Sequence, residues 1–207
     1  MIEGESWREN SLARRWGWRF RSDFMVRKIV LYPDPVLREK GRLVTEVTPE
    51  ILTLADDMLE TMRDARGVGL AAQQVGEAIQ LAVVDVSHDE ECISFLKVNG
   101  EDRPLASIMP LVFINPVLEF GKRKETDIEG CLSFPDLRAD VTRPGTVKAR
   151  LQTLEGEKLV IETDGLLSRA IQHEVDHLMG KLFIDRMSTA KRMSLRRILE
   201  DMREGRY

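Results

Sequence analysis

Hydrophobic positions in this chain recur at two spacings, and together these predict a mixture of helices and antiparallel strands. Ile51, Leu54, Ala55, Met58, Leu59 and Met62 repeat at helical intervals behind Thr48-Pro49. Thr48 is the expected N-cap, Pro49 the first helical residue, and Gly67 the stop. Residues 26–31 read as a short strand broken by Tyr32-Pro33-Asp34-Pro35, and residues 81–86 as a strand of buried type. Residues 111–114 and 117–120 read as two strands separated by Asn115-Pro116, followed by a charged loop over residues 122–127. Residues 147–154 alternate apolar and polar, Glu155-Gly156-Glu157 turns the chain, and residues 158–162 return, which predicts an antiparallel pair. Between Ser87 and Pro110 the pattern fails, and a surface excursion is expected, turning at Asn99-Gly100.

Two helices complete the pattern. One opens behind Asp164 and closes at Gly180, with Leu166, Ala170, His173 and His177 on one face. The other starts near Ser188, with Leu195, Ile198, Leu199 and Met202 inward and Lys191, Arg192, Arg196, Arg197 and Arg203 mostly outward.

At 207 residues the chain suits one domain with a substantial core. A hydrophobic share of 43% beside 32% charged residues fits a soluble protein, and a net charge of -4 gives no sign of a general nucleic-acid binder, so no DNA partner is expected. No apolar run reaches membrane-spanning length. Cys92 and Cys131 are too few for a disulfide framework and suit a reducing cytoplasm. Residues 1–24 combine Trp7, Trp16 and Trp18 with arginines and three glutamates and have no apolar signal core. They read as an extension, leaving residues 25–207 as the folded unit.

The chemistry centres on Gln172-His173-Glu174-Val175-Asp176-His177. On a helix, His173 and His177 are four apart, so both imidazoles reach one divalent metal, and Glu174 beside them can take a proton from a water activated there. A third ligand must come from elsewhere. Cys131, in the tightly turned Glu129-Gly130-Cys131-Leu132-Ser133, is the best candidate, since no histidine follows His177. His88 is expected in solvent and Cys92 as a small buried hydrophobe. In Gly67-Val68-Gly69-Leu70-Ala71-Ala72-Gln73-Gln74, two glycines among small residues allow close backbone approach by a bound chain. A phosphate loop is disfavoured there because no Lys-Ser/Thr follows.

These three segments, in this order, resemble the three motifs of the peptide deformylases. The likeness extends from the Tyr32-Pro33-Asp34-Pro35-Val36-Leu37-Arg38 opening to the Leu182-Phe183-Ile184-Asp185 exit, departing at residues 1–24 and in the longer 87–110 segment. The resemblance implies an α+β fold with antiparallel sheets around the central motif helix and a C-terminal helix. It implies a metallohydrolase that removes the formyl group from the N-formylmethionine of new polypeptides, with Fe2+ held by Cys131, His173 and His177 and replaceable by Zn2+, Ni2+ or Co2+. Glu174 would carry the proton, while Gln74 and the Leu132 backbone N–H would stabilise the oxyanion. Val68, Gly69, Leu166 and Ala170 match substrate-binding positions, the methionine side chain calling for an apolar pocket. The Arg169 guanidinium could lie at that pocket's rim or in solvent. The basic last helix could be a ribosome contact, as the resemblance implies, or a solvated face, and the expected location is cytoplasmic.

Overall fold

The computed structural model describes residues 24–88 and 94–206. Cys92 and the residues before Phe24 lie outside them. In chain order the regular elements are α1 (Pro49–Asp64), β1 (Gly69–Ala71), β2 (Leu81–Val84), β3 (Leu96–Val98), β4 (Glu101–Asp102), β5 (Leu111–Phe120), β6 (Lys124–Cys131), β7 (Phe134–Pro144), β8 (Val147–Gln152), β9 (Lys158–Thr163), α2 (Gly165–Leu178), α3 (Thr189–Ser194) and α4 (Arg196–Arg203). The fold is α+β, as expected.

Seven strands form one antiparallel sheet in the order β1-β2-β5-β8-β9-β3-β4, while β6 and β7 form a separate hairpin. The sheet lies between two helices, which is why Leu81, Ala82, Val83 and Val84 are all buried although alternate residues of a strand face opposite ways. Ala82, Val84 and Phe113 join Leu167, Ala170, Ile171 and Val175 of α2 on one side. Leu81, Val83, Val112 and Ile114 join Leu54, Ala55, Met58 and Met62 of α1 on the other. A third cluster fills the space behind the hairpin, where Phe134, Leu137 and Val141 meet Tyr32, Phe183, Leu199 and Met202. Helix α2 therefore faces the sheet with its apolar residues and the hairpin with its polar ones.

Several expectations hold in detail. The Asn99-Gly100 turn joins β3 to β4 with both residues at positive φ, β8 pairs β9 throughout, and Gly180 follows α2 with φ +69. His88 is exposed, with Asp85 3.7 Å from its Nε2.

Others are corrected. Residues 26–31 form no strand, because their amides are satisfied singly rather than by a ladder. Arg27 N–H donates to Thr61 Oγ1 (2.8 Å) and Val30 N–H to the Gln74 carbonyl (2.8 Å). Residues 111–120 are one strand with a bulge, since Asn115 at φ 51 turns aside to exchange hydrogen bonds with the Val44 backbone and the ladder resumes at Val117. The charged loop is mostly β6, an exposed hairpin strand whose polar sequence conceals its ladder with β7. Neither Thr48 nor Asp164 makes a side-chain cap bond, Asp164 Oδ1 instead accepting from Phe95 N–H at 3.0 Å. The last helix breaks at Leu195 into α3 and α4, and Ile198 faces solvent.

Helix α4 is anchored by few residues. Leu199 and Met202 are buried, and Arg203 Nε donates to Tyr32 Oη at 2.6 Å. Leu199→Ala should cost about 2–5 kcal/mol through lost burial and the cavity left behind, read as a lowered Tm. An unchanged Tm would mean that α4 contributes nothing to the core.

Candidate metal centre and active site

Three elements converge at one end of α2. Because α2 is regular, His173 and His177 lie on one face, their ring centroids 5.1 Å apart. The β6–β7 hairpin delivers the sulfur, its register slipping between Gly130 and Cys131 so that Cys131 lies where the chain turns toward Ser133. Cys131 Sγ is 3.3 Å from His177 Nε2, and one donor atom each from Cys131, His173 and His177 lie within 4.8 Å of one another. A thiolate and two imidazoles at this separation suit a borderline divalent ion with a coordination position left open. His177 Nδ1 and Glu174 Oε2 are buried without a hydrogen-bond partner.

The turn at residues 72–75 supplies Gln74, which is 1% exposed and so no ordinary polar residue at a strand edge. Ala71 N–H fixes its Oε1 at 2.9 Å, which aims Nε2 at Ser133 Oγ (3.2 Å) and Cys131 Sγ (3.5 Å). The amide hydrogens thus face the donor cluster. Leu132, between Cys131 and Ser133, packs its side chain against the α1 cluster. Gly69 is buried in β1, Val68 is 39% exposed with its carbonyl accepting from Asp85 N–H (2.9 Å), and Ala170 faces the sheet. Leu166 lines a cleft of about 140 Å³ shared with Arg169, Glu125 and Asp127, so the wall beside it is polar.

The sequence alone left the supporting charges unseen. Glu129 Oε2 lies 3.1 Å from His173 Nδ1, which leaves His173 Nε2 for a metal. The same carboxylate takes a two-pronged bond from Arg143 (2.6 and 3.0 Å) and another from Arg169 (2.6 Å). Arg169 also donates to the Val141 and Glu125 carbonyls, so its guanidinium is not in solvent but held beside the cleft that Leu166 lines. Arg143 reaches on to Asp176 of α2 (2.7 Å), which Arg186 also holds. A usable signal existed for Glu129, since residues two apart on a strand share a face and Glu129 precedes Cys131 by two. Arg143 carried no such signal, because only the hairpin brings it back.

Burial pushes Glu174 up to about 7, with the positive charges of His173 and Arg143 opposing. Burial alone would also raise Glu129, but hydrogen bonds from His173 and Arg143 prevail and hold it at about 2. Burial above all presses His177 well below its usual range, so that ring is neutral, as a ligand must be. The arrangement suits hydrolysis: a three-donor site, a carboxylate that gains and loses a proton near neutrality, and an amide aimed at the donors.

A carboxylate held near 2 against an ordinary 4.5 binds its proton less readily folded than unfolded. Its contribution to stability is therefore complete above about pH 4.5 and fades as the pH falls toward 2. Denaturation measured from neutral pH down that window should show the native protein losing stability more steeply than Glu129→Gln. Parallel curves would remove Glu129 from the account.

The family profile for polypeptide deformylase matches residues 26–193. The peptide deformylase of Methylacidiphilum infernorum is 47% identical over 181 residues, covering 87% of this chain and 95% of that one. That of Opitutus terrae is 46% identical, covering 83% and 90%. Among solved structures, a plant peptide deformylase superposes with a TM-score of 0.74 at 33% identity, covering 91% of this chain and 93% of the other. A peptide deformylase from Plasmodium falciparum gives 0.72 at 32%, covering 86% and 96%.

Proposed function

Since this chain belongs to the polypeptide deformylase family, a group of metal-dependent hydrolases that deformylate nascent peptides, we propose that Cys131, His173, His177, Glu174 and Gln74 carry that reaction here. The protein is a metallohydrolase that removes the formyl group from the N-formylmethionine of newly made polypeptides and releases formate. The observation that carries the assignment of residues is the convergence of the Cys131 sulfur and two imidazoles within 4.8 Å beside the buried Glu174.

Fe2+ is the proposed ion, with Zn2+, Ni2+ or Co2+ able to replace it, a choice supported by the softness of one thiolate and two imidazoles. When bound, such an ion supplies Lewis acidity to the formyl oxygen and acidifies the attacking water. Glu174, poised at about 7, accepts a proton from that water as oxygen adds to the formyl carbon. It returns the proton to the amine as the C–N bond breaks, so formate and a free N-terminus leave. The Gln74 amide hydrogens and the Leu132 N–H oppose the negative charge that develops on the formyl oxygen. Gly69 and Val68 would offer backbone to the extended peptide, and Leu166, at a cleft otherwise lined by polar residues, with Ala170 in the core on the same helix, would border the methionine side chain. The folded unit is proposed to begin at Met25, whose N–H already donates to Asp57 Oδ1 at 3.0 Å.

The decisive variants separate chemistry from metal binding. Glu174→Gln should keep its metal and fold and lose at least ~10²-fold in kcat, whereas Cys131→Ser should lose iron on metal analysis because a neutral hydroxyl replaces a thiolate. Near-normal kcat in metal-replete Glu174→Gln would take Glu174 out of the mechanism, and undiminished iron in Cys131→Ser would take the sulfur out of the ligand set.

A ribosome contact in the cytoplasm is proposed for the exposed Arg192, Arg196 and Arg197 at the C-terminal helices, supported by their outward basic side chains. No helix among the described residues is long and apolar enough to cross a membrane. Reversing all three to Glu should abolish low-salt co-sedimentation with ribosomes and leave turnover of short formyl peptides intact. Equal co-sedimentation would end this reading.

A further inference from the structure

Gly69 lies in a strand, and it is not among the glycines whose backbone takes positive φ. Its lack of a side chain therefore answers to space. A methyl group on its α-carbon would fall inside contact distance of Glu174 Oε1 and lie 2.8 Å from Cδ and 3.0 Å from Cγ. Gly67, two residues earlier, differs: a methyl there would press on the Leu132 side chain, 2.8 Å from Cδ1. Only at Gly69 is the opposing atom the carboxylate of α2.

Which partner would yield follows from how each is held. The strand cannot retreat, because Gly69 pairs with Val84 in the β1–β2 ladder and the Val68 carbonyl accepts from Asp85 N–H at 2.9 Å. Glu174 is 3% exposed, yet its Oε2 has no hydrogen-bond partner, so no bond to that oxygen fixes where the carboxylate lies. A side chain at residue 69 would displace the carboxylate before it moved the backbone.

We propose that Gly69 is a positioning residue: its bare α-carbon is the wall on which the Glu174 carboxylate rests, and it sets where the proton is taken up and returned. This rests on the reading of Glu174 as proton carrier. It differs from the service of Gly69 as a backbone partner for the peptide, because loss of a peptide contact raises KM, whereas a displaced proton carrier lowers kcat. A proton-transfer distance is sensitive to displacements of about 1 Å.

The test is a double-variant cycle on the metal-loaded, full-length protein, using Gly69→Ala, Glu174→Ala and both together, with kcat, KM, metal content and Tm measured for each. Gly69→Ala should lower kcat at least ~10-fold with KM within ~2-fold and metal content unchanged. In the Glu174→Ala background, where the carboxylate is gone, the same substitution should change kcat less than ~2-fold and lower Tm less than it does alone. A raised KM with kcat kept, or an equal kcat loss in both backgrounds, would overturn the proposal. If Gly69→Ala fails to fold, recovery of folding in the double variant supports the contact and continued failure overturns it. Should Glu174→Ala alone keep near-native turnover, the proton-carrier role falls, and the coupling in Tm still decides whether Gly69 and Glu174 press on one another.

Discussion

The buried ion cluster of Glu129, Arg143 and Asp176 is the interaction on which the arrangement of this molecule depends. It is the charged joint between the β6–β7 hairpin and α2, two elements that share no ladder. Glu129 and Arg143 come from the hairpin and Asp176 from the helix, all under 10% exposed at their side chains. Each charge has partners on the other side, which is the condition under which burying ions is tolerable, and removing one member leaves an uncompensated charge in the interior at a cost of about 3–5 kcal/mol. The joint brings Cys131, carried on the hairpin, into register with the two histidines carried on the helix.

The same cluster has an electronic consequence. Glu129 orients the His173 ring by taking its Nδ1, so the charge that fastens the hairpin also presents Nε2 to the metal. Structure and chemistry share one carboxylate. Glu174 is treated oppositely: it is buried near the positive charges but receives no hydrogen bond at Oε2, and it titrates near neutrality. Two glutamates within one site are thus pushed in opposite directions, Glu129 down by hydrogen bonds from His173 and Arg143 and Glu174 up by burial.

The segment from Met25 to Tyr32 takes on work that its poor strand character hides. It ties α1 through Arg27, the Gln74 turn through Val30 and the Cys131–Ser133 turn through the Tyr32 N–H to the Ser133 carbonyl. Tyr32 then stacks on Phe134, with centroids 4.8 Å apart, and accepts from Arg203 of α4. The two turns that hold the amide and the sulfur are fastened to each other by a strand-like segment that belongs to no sheet, and the C-terminal helix closes over it.

How much of this was legible before the fold was known follows from the range of each signal. Local signals were sufficient for α1, α2 and the β8–β9 pair, whose periodicity reports directly which face is buried, and for His173, Glu174 and His177, which a single helical turn brings together. Cys131 was reachable by elimination among few soft donors, and Gln74 and Leu132 by likeness of motif. What the sequence could not reveal depended on contacts between distant segments. Lys124 to Asp127 looked like a loop because an exposed hairpin strand needs no apolar alternation, and residues 26–31 looked like a strand because extended backbone and ladder membership share one composition. Ile198 falls on the inward face only of a helix that runs straight through Leu195, and the break there leaves it in solvent. Arg143 and Asp176 carry the joint only because β7 folds back beside α2, and the crowding of Gly69 against Glu174 exists only once β1 lies on that helix. Periodicity and spacing determined which residues could do chemistry, while the tertiary structure decided their protonation and placement, because burial and the charges of distant partners act through space and leave no trace in local order.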